Sequence, residues 1–119
     1  MKTLAIETSC DETALALIEA KGKGEKTRFK ILAEAIASQI NVHRPFGGVV
    51  PHLAKREHEK NLPVMLEEIK SQVKDFSPDQ IAVTVGPGLE PALWAGVNFA
   101  QDLAEKMNLP LIGVNHLEG

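Results

Sequence analysis

Apolar residues in the first third of the chain form short runs that are separated by polar turns. Residues 3–6 and 13–18 are two such runs, and the letters ETSCDE separate them. A stretch rich in glycine and lysine begins at residue 21, and a third apolar run covers roughly residues 29–38. Short runs joined by short polar links are typical of an antiparallel meander. The pattern therefore predicts three successive strands.

After residue 50 the apolar residues take on the three- and four-residue spacing of an amphipathic helix. Pro51 suits the first helical turn, where its missing N–H leaves no bond unmade. One face of this helix is then apolar and contains Leu53, Leu62, Met65, Leu66, Ile69 and Val73. Pro63 is expected to kink the helix or to split it at Asn61, because proline removes a backbone hydrogen bond.

A strand, a helix and a further strand complete the pattern. Residues 81–85 form a strand rich in β-branched residues, and the letters GPG at 86–88 lead into a helix with Pro91 near its start. One face of this helix contains Leu93, Val97, Ala100, Ala104 and Met107. Gly96 is expected to let the helix approach the sheet closely. Residues 111–114 are the fifth strand. The order β-β-β-α-β-α-β predicts an α/β domain with a mixed five-stranded sheet and helices on its faces.

Composition narrows the class of protein. A length of 119 residues suits one domain with a real core. The formal net charge of −3 argues against a free-standing nucleic-acid binder, which usually has a basic surface. The single cysteine, Cys10, excludes an internal disulfide framework. No apolar run approaches the length of a membrane span and no leader pattern is present, so the cytoplasm is the expected compartment.

The turn at residues 6–13, IETSCDET, is the first candidate for chemistry. It can aim backbone N–H groups, the hydroxyls of Thr8 and Ser9, and the carboxylates of Asp11 and Glu12 at one point. N–H and hydroxyl groups bind phosphate, and a carboxylate can hold a magnesium ion that bridges to it. The same residues also fit an ordinary polar turn in which Asp11 caps its own backbone.

The glycine turn at residues 86–88 is a weaker candidate. A strand, a tight turn and a helix amino terminus form a known anion-binding arrangement. However, the third glycine of the dinucleotide fingerprint and the lysine of a Walker loop are both missing. Glu90 in the first helical turn would also repel a phosphate. A structural turn is therefore the better interpretation.

The histidines do not form a recognisable metal motif within the chain. His52 and His58 are six positions apart, which puts them on different faces of a helix. His116 follows the last strand, but one histidine does not make a metal site. A second histidine four residues later would be a strong signal, and that position lies beyond residue 119.

Four motifs in register resemble the amino-terminal part of the tRNA threonylcarbamoyladenosine transferases, the TsaD family, in its bacterial form. They are IETSCDET at 6–13, GGVVP at 47–51 with LAKREH at 53–58, TVGPGL at 84–89 and VNHLEG at 114–119. The resemblance implies an actin-like ATPase, or ribonuclease H-like, fold of two lobes. Residues 1–119 would be the first lobe, truncated before the second.

The resemblance also implies a reaction and a set of site residues. The family moves the threonylcarbamoyl group of threonylcarbamoyl-AMP to N6 of the adenosine beside the anticodon of ANN-decoding tRNAs. Its metal ion, divalent or ferric and reported as iron or zinc, is bound by a His-x-x-x-His pair and an aspartate of the second lobe. His116 matches the first histidine, Asp11 and Glu12 match acidic catalytic residues, and Ser9 and Cys10 match the loop near the adenine nucleotide. The chain alone is expected to be inactive and to bind none of these cofactors stably.

Partners are implied in the same way. The helix at 51–73 matches the surface that joins an inactive paralogue, TsaB, in a helical bundle, and a TsaE-like ATPase and tRNA complete the complex. The truncated lobe is also expected to self-associate through exposed apolar surface. The alternative is a non-catalytic scaffold or dimerisation module resembling TsaB, against which the retained ETSCDET and NHLEG motifs argue. An endopeptidase is disfavoured because Leu117, not glutamate, follows His116.

Two segments depart from the family pattern. Glu90, Pro91 and Trp94 stand where the family commonly has small and apolar residues, and the loop at 21–30 is longer and more basic than usual. Neither departure changes a motif residue.

Overall fold

The computed structural model of the chain describes residues 1–9, 12–38, 51–87 and 90–115. These ranges contain the predicted elements in the predicted order. They are β1 (Lys2–Glu7), β2 (Glu12–Lys21), β3 (Arg28–Ser38), α1 (Pro51–Gln72), β4 (Gln80–Gly86), α2 (Glu90–Met107) and β5 (Leu111–Asn115). A short 3-10 turn at Gly24–Lys26 lies between β2 and β3.

The five strands form one mixed sheet in the order β3-β2-β1-β4-β5. β1 pairs antiparallel with β2, and β2 pairs antiparallel with β3, as expected for a meander. β4 is parallel to both β1 and β5. Parallel strands need a crossover connection, and α1 and α2 supply the two that this order requires.

Both helices pack side by side on one face of the sheet and bury the core there. The alternation along each strand directs every second side chain to this face. The buried cluster comprises Leu4, Ile6, Leu15, Leu17, Ala33, Ala35, Ile81 and Val83 from the strands, and Leu62, Met65, Leu66, Ile69, Ala100 and Ala104 from the helices. The face of α1 that the spacing identified is therefore its core face.

Helix α1 is continuous through Pro63, so the prediction of a split at Asn61 is wrong. Proline removes the hydrogen bond to the carbonyl four residues earlier, which here belongs to Glu59. Pro63 and Glu59 are both exposed. Water can therefore satisfy the freed carbonyl, while Leu62 and Met65 on the inner face keep the helix against the core.

The opposite face of the sheet is apolar and, in the described part of the chain, carries no helix. Alanines at positions 5, 14, 16 and 82 line a shallow cavity of about 280 Å³ on it. Ile36 also lines this cavity and is 63% accessible. We call this surface the open face. Isolated apolar residues on a surface are ordinary, but a contiguous patch of this kind is typical of a covered surface.

The open face is where we expect self-association of the 1–119 chain. Ile36→Lys places a charge on this face and should reduce association, because a buried charge without a partner is costly. Light scattering over a concentration series measures the effect, and Val64→Lys on the outer side of α1 is the matched control, since Val64 is 68% exposed. A wild-type chain that stays monomeric throughout the series would contradict the expectation.

Candidate functional site

The topology brings the ends of several elements to one edge of the sheet. Because β1, β4 and β5 are parallel, their carboxyl ends at Glu7, Gly86 and Asn115 lie together. β2 is antiparallel to β1, so it begins at Glu12 on the same edge. We call this the site edge. In open α/β sheets ligands bind outside the carboxyl ends of the strands, and this edge is therefore the candidate site.

The side chain of Glu7 connects the turn after β1 to the end of β4 through two hydrogen bonds. The N–H of Ser9 donates to Oε1 of Glu7 at 2.6 Å, and the hydroxyl of Thr84 donates to Oε2 at 2.6 Å. Ser9 and Thr84 are both buried. The arrangement follows from register, since Ile6 pairs with Val83 and the next residues along the two parallel strands are Glu7 and Thr84. One carboxylate thus links two of the sequence motifs.

Thr8 joins the same turn to helix α2. Its side chain is fully buried, and its hydroxyl donates to the carbonyl of Ala92 in the first turns of α2 at 2.8 Å. Gly96 lies against it: a Cβ atom at Gly96 would be 2.3 Å from Oγ1 of Thr8. A close approach at Gly96 was predicted toward the sheet, and the structure places it against Thr8, in the turn that follows β1.

Thr13 joins the far side of the turn to helix α1. Its Oγ1 is 2.7 Å from Nδ1 of His58, and both residues have no accessible surface. Which atom donates depends on the tautomer of the imidazole. The IETSCDET turn therefore has a bonded contact to β4, to α2 and to α1.

The predicted site residues have mixed outcomes. The hydroxyl of Thr8 bonds within the fold, which favours the polar-turn alternative for this residue. The N–H of Ser9 is directed at Glu7, so the nucleotide role of Ser9 stays a prediction. Glu12 is exposed at the start of β2, where a ligand can reach it. Cys10, Asp11 and His116 lie outside the described residues.

The described residues contain no group of three or more His, Cys, Asp or Glu side chains that could hold a metal ion. His52 is exposed and His58 is buried, which confirms that they occupy different faces of α1. Neither α1 nor α2 is long and apolar enough to cross a membrane.

Sequence reasoning missed four residues of this network, namely Glu7, Thr84, Thr13 and His58. Two of them left a signal. Thr13 is an odd-numbered residue of β2, so its side chain lies on the same face of the strand as Leu15 and Leu17. His58 lies four residues before Leu62 and therefore on the apolar face of α1. A polar residue at a core position needs a hydrogen-bond partner, and two such residues can satisfy each other.

The comparisons with known proteins agree with this architecture. A model of the family "TsaD: tRNA N6-adenosine threonylcarbamoyltransferase" matches residues 30–119. A tRNA N6-adenosine threonylcarbamoyltransferase of Thermosipho melanesiensis is 50% identical over 121 residues, covering 100% of this chain and 35% of the relative. One of Clostridioides difficile is 44% identical over 119 residues, covering 98% of this chain and 33% of the relative. The chain thus spans about a third of the length of these relatives.

Solved structures show the same fold at low sequence identity. YeaZ from Pseudomonas aeruginosa superposes with a TM-score of 0.65 at 19% identity, covering 96% of this chain and 43% of that one. RuvC of Thermus thermophilus with a Holliday junction gives 0.60 at 10% identity, covering 99% and 68%. The predicted actin-like, ribonuclease H-like fold is confirmed. With the family model matching residues 30–119 and a 50% identical relative aligned over the whole chain, the chain belongs to the TsaD family of tRNA N6-adenosine threonylcarbamoyltransferases.

Proposed function

We propose that this chain is the amino-terminal lobe of an enzyme that transfers the threonylcarbamoyl group from threonylcarbamoyl-AMP to N6 of the adenosine beside the anticodon of ANN-decoding tRNAs. The observation that carries the proposal is the match to the TsaD family over residues 30–119. The bonded network around the IETSCDET turn supports it, because a transferase needs its reactive groups held in fixed positions.

The reaction assigns roles to residues of this turn. The N6 amine attacks the carbonyl carbon of the threonylcarbamoyl group, the bond from that carbon to the AMP oxygen breaks, and the amine loses a proton. Asp11 and Glu12 are carboxylates suited to accept that proton. Ser9 and Cys10 would lie against the nucleotide. Glu12 is exposed at the site edge, which leaves it accessible for this work.

A metal ion is part of the proposal, with His116 as one ligand. His116 directly follows Asn115, where β5 ends at the site edge. When bound, such an ion polarises a carbonyl oxygen as a Lewis acid. The family resemblance supplies the other ligands from a second histidine and from an aspartate of the second lobe. The 1–119 chain alone is therefore expected to be inactive.

The test compares the full-length enzyme with the 1–119 chain in the presence of the other components of the complex. We expect the full-length enzyme to label an ANN-decoding tRNA with radioactive threonine, and the short chain to give only background. A tRNA with another base at the target position is the control. Transfer by the short chain would contradict the two-lobe proposal, and failure of the complete complex on an ANN-decoding tRNA would contradict the activity itself.

We propose further that α1 and α2 together form the surface for a TsaB-like paralogue. The two helices lie side by side, and the fold likeness to YeaZ is consistent with pairing between similar lobes. Trp94 is 52% exposed beside a groove of about 450 Å³ that His52 and Lys55 of α1 also line. Exposed tryptophans are frequent anchors of interfaces.

Trp94→Ala should weaken binding of the paralogue by about tenfold, because a buried aromatic anchor commonly contributes more than 1 kcal/mol to an interface. Titration calorimetry with the full-length enzyme measures the dissociation constant. Phe29→Ala removes an aromatic that is 74% exposed at the opposite end of the sheet and serves as the matched control. Equal affinities for the two variants would place the interface elsewhere.

A further inference from the structure

We infer that His58 is a positioning residue that, through Thr13, fixes Glu12 at the start of β2. The inference goes beyond the family motifs because it gives a role to the contact between IETSCDET and LAKREH. Its kinetic test rests on the proposed transfer reaction, and its structural test does not.

The first step of the argument is the burial of the pair. Thr13 and His58 are separated by 45 positions in the chain, have no accessible surface, and are joined by one hydrogen bond of 2.7 Å. His58 belongs to the inner face of α1 with Leu62 and Met65, and Thr13 to the inner face of β2 with Leu15. The bond therefore runs from helix to sheet through the core.

The second step is energetic. A buried hydrogen bond typically contributes only about 1 kcal/mol net, and replacing both partners by apolar groups of the same shape can be nearly neutral. Leucine in place of His58 and valine in place of Thr13 would fill this space and avoid the free-energy cost of desolvating an imidazole and a hydroxyl. Stability alone is thus a weak reason for the pair. A directional bond does something that apolar packing does not, since it sets one position and one orientation for each partner.

The third step is the location of Thr13. It directly follows Glu12, and the opposite end of the turn is already fixed, at Glu7 by Thr84 and at Thr8 by Ala92. The bond to His58 fixes the remaining end. Glu12, one of the two proposed catalytic carboxylates, is therefore the direct neighbour of an anchored residue. Without the bond, the start of β2 would keep its strand pairing but lose its anchor to α1.

The experiment uses the full-length enzyme with four single variants and one double variant. Thr13→Val and His58→Leu remove the bond. Thr13→Ser keeps the hydroxyl, and His58→Asn keeps a polar atom at the position of Nδ1. The double variant combines the two disruptive changes. Ile69→Ala is the matched control, because it removes fully buried side-chain atoms of α1 away from the turn.

We expect the two disruptive variants to lower kcat by on the order of 10- to 100-fold at a temperature where all variants are folded, since small misplacements of reactive groups have effects of that size. The two conservative variants should recover most of kcat. The double variant should be no slower than either single variant, because both remove the same bond. Ile69→Ala should lower the unfolding midpoint and leave kcat within about twofold of wild type.

Hydrogen exchange of the backbone amides at residues 9–16 supplies the second readout. We expect faster exchange there in Thr13→Val and His58→Leu and not in Ile69→Ala. Unchanged exchange, or a kcat for both disruptive variants that matches Ile69→Ala, would overturn the inference. If the wild-type enzyme transfers no threonylcarbamoyl group, the proposed function fails, and the exchange rates still decide whether His58 positions the start of β2.

Discussion

Glu7→Ala is expected to lower the free energy of unfolding by about 2–4 kcal/mol, because it removes an acceptor that serves two donors and hydrogen bonds to charged groups contribute about 1.5–3 kcal/mol each. Both donors, the N–H of Ser9 and the hydroxyl of Thr84, lie within 2.6 Å of the carboxylate oxygens. Their residues are buried, so water replaces the lost acceptor poorly. Urea unfolding measures the change, and activity of the full-length enzyme should fall with it.

Two further variants make this result specific. Glu7→Gln keeps an oxygen for the N–H of Ser9, and its amide N–H can donate to the hydroxyl of Thr84, so the loss should shrink to about 1 kcal/mol. Glu68→Ala removes an exposed carboxylate of α1 and should change stability by less than about 0.5 kcal/mol. If Glu7→Ala and Glu68→Ala unfold at the same urea concentration, Glu7 does not hold the turn.

Gly96→Ala is expected to destabilise the chain by about 1–3 kcal/mol, even though alanine is the better helix former by about 1 kcal/mol. The added Cβ would lie 2.3 Å from Oγ1 of Thr8, which is far inside van der Waals contact. Thr8 cannot rotate away without losing its bond to the carbonyl of Ala92. Steric conflict therefore exceeds the gain in helix propensity, and thermal unfolding should show a lower midpoint.

Removing the conflicting atom tests the cause. In the background of Thr8→Ala, the same Gly96→Ala change should be much less harmful, because Oγ1 is gone. Asn98→Ala, at an exposed position of the same helix, should be neutral or slightly stabilising. A Gly96→Ala effect that is equal with and without Thr8 would show that the contact is unimportant.

The elements were predictable because their signals are local. Period-two alternation, a glycine-rich link and a stripe of apolar residues in α1 each depend on neighbours in the chain. An exposed apolar surface was expected, but its location on the open face was not predictable, since alanine at positions 5, 14, 16 and 82 fits either a packed or a bare surface. Pro63 misled for a physical reason. Its effect on a helix depends on whether the freed carbonyl meets water, which only the packing decides.

The position of the candidate site in the chain was predictable from the sequence, but the hydrogen bonds within the site were not. The IETSCDET turn was identified, but residue types alone left open whether its hydroxyls bind a ligand or bond within the fold. Thr8 bonds to Ala92, which is 84 residues away in sequence. Glu7 was passed over because a carboxylate at the end of a strand resembles any polar strand end. Its two donors belong to Ser9 and Thr84, and the second becomes a neighbour only when β4 pairs with β1.

The hairpin between β2 and β3 should tolerate insertions and substitutions better than the turn after β1 does. The hairpin joins the strands at the pair Lys21 and Arg28, and Glu12 is at the other end of β2. A strand of this length separates Glu12 from Lys21 by about 30 Å. The residues of the hairpin are almost all exposed. Extra length and basic charge can therefore accumulate there without reaching the turn after β1, which makes this hairpin the natural place to insert a purification tag or a fluorescent label.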